Sequence, residues 1–367
     1  IYTSVNTLSL HDALPIFQSY LTDAIELLKA MIAIPSLSYE EGAVADMIET
    51  KLKNWAFQPE RKGNNIWLKS RNWDNRKPVV LLNSHIDTVK PAKGWSCEPF
   101  QPTDENGKIT GLGSNDAGAS VVSLMATFRH LQQEQQPYNL IFCASAEEEV
   151  SGPNGIVSVL EQFGKIDLAI VGEPTQMQMA IAEKGLLVLD CEARGKAGHA
   201  ARNEGENALY KAIEDIQLLR EFRFPLESPL LGPVKITVTQ IEAGHQHNVV
   251  PDSCRFVVDV RTNEFYNNIE ACRIITDLIT SEVKPRSFRL NSSGIDPKHP
   301  LVKRGEVIGL SSYGSPTTSD QAVIPFPSIK IGPGDSARSH TANEYIYENE
   351  ITEGISIYIQ LLNQLKF

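Results

Sequence analysis

The sequence predicts an α/β protein: a sheet sandwiched by helices, interrupted by an inserted ferredoxin-like domain. Three observations carry this. Toward both ends, short wholly apolar runs alternate with amphipathic helical stripes, the pattern of a buried sheet covered on both faces. In the middle the order becomes β-α-β-β-α-β. The chain's 367 residues are enough for two separate cores.

The elements follow in order. Leu21, Ile25, Leu28 and Ile32 recur at three and four residues, marking a helix that Pro35 stops. Ser38 and Glu41 form a capping-box pattern ahead of a second stripe, Val44, Ile48, Leu52 and Trp55. Pro78–Asn83, Leu140–Ser145, Leu168–Val171 and Ser328–Ile331 read as strands, residues 117–132 as a helix, and Ile351 to Leu362 as a closing helix. In the middle, strands are expected at Leu186–Arg194, Val234–Thr239, Arg255–Val260 and Ser287–Leu290, with helices at 206–221 and 267–282. The expected division is a catalytic domain over 17–178 and 292–367, with an insertion over 179–291.

Residues 1–16, IYTSVNTLSLHDALPI, begin without Met and resemble one translated frame of a sequencing-library adaptor, so they are expected to be a non-native tail. A signal peptide would need a basic start and an unbroken apolar stretch, which His11 and Asp12 interrupt.

With 34 Lys and Arg against 45 Asp and Glu the formal charge is −11, which argues against a nucleic-acid partner. No run approaches the ~18 apolar residues of a membrane span. Five dispersed cysteines without a C-x-x-C fit reduced thiols and a cytoplasmic location.

Several chemically capable residues stand close after apolar strands. His85 ends one, and Asp87, two residues on, can hold an imidazole nitrogen. Asp116 sits in the turn Gly111-Leu-Gly113-Ser-Asn-Asp116, where it could cap a helix or bind metal. Glu147-Glu148-Glu149 follow a strand end, and three adjacent carboxylates repel one another unless a cation or proton relieves them. Glu173 follows another strand, and His340 lies beyond Gly332-Pro-Gly334. Two histidines and three carboxylates suit two borderline divalent ions bridged by one carboxylate. A dinucleotide-binding enzyme is not indicated, because the G-x-G-x-x-G fingerprint is missing.

His85-Ile-Asp87-Thr88, the glycine turn at Asp116, Glu148-Glu149, Gly172-Glu-Pro-Thr175 and Ser339-His340-Thr-Ala-Asn-Glu344 together resemble the di-zinc aminoacylase/carboxypeptidase family, over essentially residues 18–367. That family includes acetylornithine deacetylase, succinyl-diaminopimelate desuccinylase and bacterial di- and tripeptidases. The resemblance implies a zinc-hydrolase-type sheet and two Zn²⁺, with Co²⁺ a possible substitute. His85 and Glu173 would hold one ion, Glu149 and His340 the other, and Asp116 would bridge them. Glu148 would be the general base, Asp87 would orient His85, and the Asp116–Ala117 peptide would be cis. The insertion resembles a dimerisation or lid domain. His199, in Gly195-Lys-Ala-Gly198-His199, would reach the neighbouring subunit's site in a homodimer and stabilise the oxyanion. Asn248 and Arg261 match positions that bind the substrate carboxylate, Arg261 by a bidentate pair, and Gly332 and Gly334 match a loop near the substrate. Leu112, where relatives often carry Arg, and Glu147, where many have Asp, are departures that touch no ligand.

The expected activity is therefore hydrolysis of an N-acyl amino acid, N-acetylornithine first, as in arginine biosynthesis. The alternatives are N-acetylcitrulline or N-succinylornithine as substrate, a dipeptidase or aminopeptidase of the same family, and a non-catalytic binding protein on the same scaffold. The last predicts loss of a ligand or of the base, and none is lost.

Overall fold

The computed structural model describes residues 10–202 and 204–367, with side chains from residue 18 onward. The tail expected over 1–16 lies outside the described residues up to residue 9; beyond that its backbone begins the helix Leu10–Ile32. The chain divides into two units. One runs to Ile181 and resumes over Ile295–Ser312 and Phe326–Phe367; the other comprises Ala182–Gly294 and Tyr313–Pro325.

Apolar runs make the sheet of the first unit. Its strands lie in the order Glu60–Lys62, Asn65–Lys69, Asn139–Ser145, Val79–His85, Leu168–Val171, Ser328–Lys330, Met179–Glu183. Val79–His85 runs parallel to both its neighbours, and Ser328–Lys330 runs parallel to Leu168–Val171. Every residue of Val79–His85 and Asn139–Ser145 is buried, as strands covered on both faces must be. Leu27, Leu28, Ile48, Leu52, Phe128 and Tyr358 supply the covering helices' share of this core.

The capping box expected at Ser38 and Glu41 does not form. Glu41 precedes the helix Gly42–Asn54 without capping it. Its carboxylate instead accepts from the Asn64 amide and from the Glu147 backbone, while the Ser38 hydroxyl donates to Asp87.

In the second unit the strands lie in the order Lys235–Ala243, Ser253–Arg261, Leu187–Arg194, Glu282–Pro285, all antiparallel, which is the ferredoxin-like arrangement. Strict alternation buries Cys254, Phe256, Val258 and Val260 against Leu187, Leu189 and the helices Ala208–Glu221 and Asn268–Leu278. The last helix ends four residues early and the last strand is not Ser287–Leu290. The Thr280 and Ser281 backbone N–H groups donate to the buried Asp215 carboxylate at 3.0 and 2.8 Å, which peels the chain off the helix.

The segment Tyr313–Pro325, expected with the catalytic portion, clusters with the second unit. Lys184 donates its N–H to the Ser315 carbonyl, and Ser319 donates both N–H and hydroxyl to the buried Glu183 carboxylate. No helix among the described residues is long and apolar enough to cross a membrane.

Candidate metal centre

Parallel register brings the relevant strand ends to one edge. His85 lies opposite Ser145, while Asn83 and Lys330 each lie opposite Val171. The segments carrying Asp87, Glu147 to Glu149, Glu173 and His340 all leave from this carboxyl edge, where open α/β sheets hold their ligands.

His85 is buried, and its Nδ1 lies 2.9 Å from the Asp87 backbone carbonyl. A carbonyl only accepts, so Nδ1 carries the proton and Nε2 is left bare in the neutral ring. Nε2 faces Asp116 Oδ1 at 3.2 Å, Glu173 Oε1 at 3.7 Å and Glu148 Oε2 at 3.9 Å. His340 Nε2 faces Glu149 Oε2 at 3.0 Å and Asp116 Oδ2 at 3.6 Å. Asp116 thus turns one oxygen to each histidine. Two sets could each hold an ion: His85, Glu148 and Glu173, and His85, Asp116 and Glu149.

Asp87 faces the same ring nitrogen: its carboxylate stands 3.5 Å from His85 Nδ1, beside its own backbone carbonyl. The carboxylate also accepts from Ser38 Oγ at 2.8 Å and from the Glu148 and Glu149 amides. Not all three glutamates crowd the site. Glu147 adopts a left-handed φ of 56° and its carboxylate takes the Asn154 backbone and side-chain N–H groups at 3.0 and 2.9 Å.

The charges fit bound cations. Burial, with Asp116 adding to it against the pull of His85, pushes Glu173 up to about 8. Burial would depress His85, yet Asp116 and Asp87 hold it well above its ordinary value. The hydrogen bond to Glu149 raises His340 to about 9. Without a cation, protons must do this neutralising. Glu173 Oε1 is also buried without a hydrogen-bond partner, which a cation would satisfy. Imidazole nitrogens and carboxylate oxygens are donors that suit zinc.

Asp116 itself does not cap the following helix, whose N-cap is Gly118, and the Asp116–Ala117 peptide is cis. Its turn is held by Glu344, quoted in the sequence motif but given no role there. The buried Glu344 carboxylate accepts from the Gly113, Asn115 and Asp116 amides at 3.1, 2.8 and 2.9 Å. Gly332 and Gly334 are buried spacers. A Cβ on Gly332 would strike Ser120 Oγ and the Glu173 backbone, and one on Gly334 would strike Asn115 Oδ1.

His199, Asn248 and Arg261 belong to the second unit. His199 lies on a short ribbon opposite Val249, and the Asn248 carbonyl accepts from Ala200 at 3.0 Å, so the ribbon carries both residues. The exposed His199 ring accepts the Ala201 N–H at Nδ1, leaving Nε2 as the outward donor. Gly195 and Gly198 serve a close internal approach, since a Cβ on either would strike the Glu206 or Glu204 carbonyl. Arg261 gives Nε and Nη2 to Asp259 at 2.8 and 3.0 Å, and Nη1 to Thr318. Asp259, two residues earlier on the same strand face, takes the fork expected for a substrate carboxylate.

Comparison with known proteins identifies the family. The chain is 26% identical over 373 residues to succinyl-diaminopimelate desuccinylase of Wolbachia pipientis wMel, covering 93% of this chain and 92% of that protein. It is also 26% identical over 373 residues to acetylornithine deacetylase of Shigella sonnei, covering 92% and 97%. The structure superposes with a TM-score of 0.72 on Bacillus subtilis YxeP, described as a dinuclear metal binding peptidase, at 16% identity over 95% of this chain and 98% of that one. Residues 81–364 match the sequence profile of peptidase family M20/M25/M40, and the chain is a metallohydrolase belonging to that family.

Proposed function

We propose that this protein hydrolyses the amide bond of an N-acyl amino acid, with N-acetylornithine its first substrate. One observation carries the reading: Asp116 divides its two oxygens between His85 and His340, with Glu148 beside the same His85 nitrogen. His85 and Glu173 would hold one zinc, Glu149 and His340 the other, and Asp116 would bridge them. Two such cations would lower the pKa of bound water toward neutrality.

The remaining work falls to the protein. Asp87 fixes the Glu148 and Glu149 backbone, so that Glu148 is placed to take the proton of the attacking water and deliver it to the departing amine. His199 offers its Nε2–H to the developing oxyanion, from a partner subunit in a homodimer. Asn248 and Arg261 would receive the substrate carboxylate, Arg261 through the Nη hydrogens not given to Asp259 and Thr318. Unbridged cysteines, four of them buried, suit a reducing cytoplasm.

The test is amine release from a panel of N-acetyl, N-succinyl and dipeptide substrates with zinc or cobalt added. N-acetylornithine should turn over fastest. Preference for the N-succinyl compounds or for dipeptides would move the chain to another activity of the family, and no release from any would remove it from catalysis.

A further inference from the structure

The His340 side chain is 54% exposed, and both His340 and Asn343 sit at a left-handed φ of 58°. Such backbone persists in non-glycine residues only where neighbours enforce it. Several ties reach the segment bearing His340, among them three made by Asn115, Asn343 and Glu344. Asn115 accepts the Asp335 N–H at 3.0 Å and donates its Nδ2 to the Asp335 carbonyl at 3.1 Å and to Ser339 Oγ at 3.4 Å. Asn343 Oδ1 accepts from the Ser96 N–H and hydroxyl at 2.9 and 3.0 Å. Glu344 reaches the other way, holding the Gly113, Asn115 and Asp116 amides.

The first and last of these ties are reciprocal. Asn115 is the residue before Asp116 and grips the His340 segment; Glu344 lies four residues after His340 and grips the Asp116 turn. The close approach is built in, because a Cβ at Gly334 would strike Asn115 Oδ1. Neither residue points a free atom at the metal positions. We propose that Asn115 and Glu344 are positioning residues that form a clasp setting the distance between Asp116 and His340, and hence the affinity of one of the two metal positions.

This deepens the two-metal reading and rests on it. The position formed by Glu149, Asp116 and His340 depends on the clasp, since His340 belongs to it alone. The position formed by His85, Glu173 and Asp116 keeps two donors that leave from the sheet edge. Opening the clasp should therefore weaken one equivalent of metal and spare the other. A merely structural role would lower thermal stability and affect both alike.

The experiment is stepwise titration of chelator-stripped protein with Co²⁺, read by visible absorption and calorimetry, for wild type, Asn115→Ala and Glu344→Gln. Wild type should take two equivalents. Each variant should take the first as wild type does and the second about 10–100-fold more weakly, the usual range for loss of an outer hydrogen-bond partner. Asn115→Ala leaves every Glu344 bond in place, so it decides the matter alone if Glu344→Gln does not fold. Two unchanged equivalents, or equal weakening of both, in a folded variant would overturn the clasp. Fewer than two equivalents in wild type would overturn the two-metal reading instead.

Discussion

The Asp87 carboxylate accepts the Glu148 backbone N–H at 2.9 Å. Its other oxygen takes the next amide, that of Glu149, and the Ser38 hydroxyl. One buried side chain thus fixes the peptide that carries both the candidate base and a candidate ligand. Asp87→Asn keeps the shape but turns an NH₂ group toward backbone donors. It should lower kcat about 10–100-fold, the range for loss of outer-shell partners, with KM little changed. Steady-state kinetics check this, and wild-type turnover would show that Asp87 is dispensable.

Glu148→Gln tests the base directly. The amide fills the same space but accepts no proton, so turnover should fall by about 100- to 10,000-fold while metal content stays at the wild-type value. Activity within tenfold of wild type would place the base elsewhere.

His199 invites complementation. Its Nδ1 is taken by the Ala201 N–H, so Nε2–H is the donor available to an oxyanion, and His199→Ala should cost about 100- to 1000-fold. Mixed dimers of His199→Ala with Glu148→Gln should regain activity, because one site receives both intact residues if His199 acts across the interface. Confirmed mixed dimers without recovery would leave His199 acting within its own chain or not at all.

Much of the fold and several candidate ligands are legible in the sequence, for specific reasons. Candidate ligands that follow apolar parallel strands, such as His85 and Glu173, stand out because buried strands are unbroken apolar runs. Tertiary recruitment hid the rest. Ser38 and Glu41 look like a helix cap, but the turns at Asp87 and Glu147 claim them. The end of Asn268–Leu278 is set by Asp215, about 60 residues away along the chain, which no local pattern reports. Glu344 works only on backbone amides, which leave no mark in the sequence of the turn they hold.

The thiols offer an independent check of the second unit. Burial, with Asp190 beside it, pushes the Cys191 thiol up to about 12, and burial also raises Cys254 and Cys272. A raised pKa leaves less thiolate at a given pH, and thiolate is the reactive form. At about pH 8 a disulfide-exchange reagent should label the half-buried Cys97 first and the other four only on unfolding. Mass spectrometry of the labelled peptides reads this, and fast labelling of Cys191 would contradict the packing.

The whole second unit is threaded between Glu173 and His340. On the ribosome, four of the five candidate ligands and the candidate base emerge long before the last ligand does. A chain that stops inside the second unit lacks His340, the Glu344 carboxylate that holds the Asp116 turn, and the strand Ser328–Lys330 that pairs with Leu168–Val171. Completion of the centre is therefore tied to completion of the polypeptide.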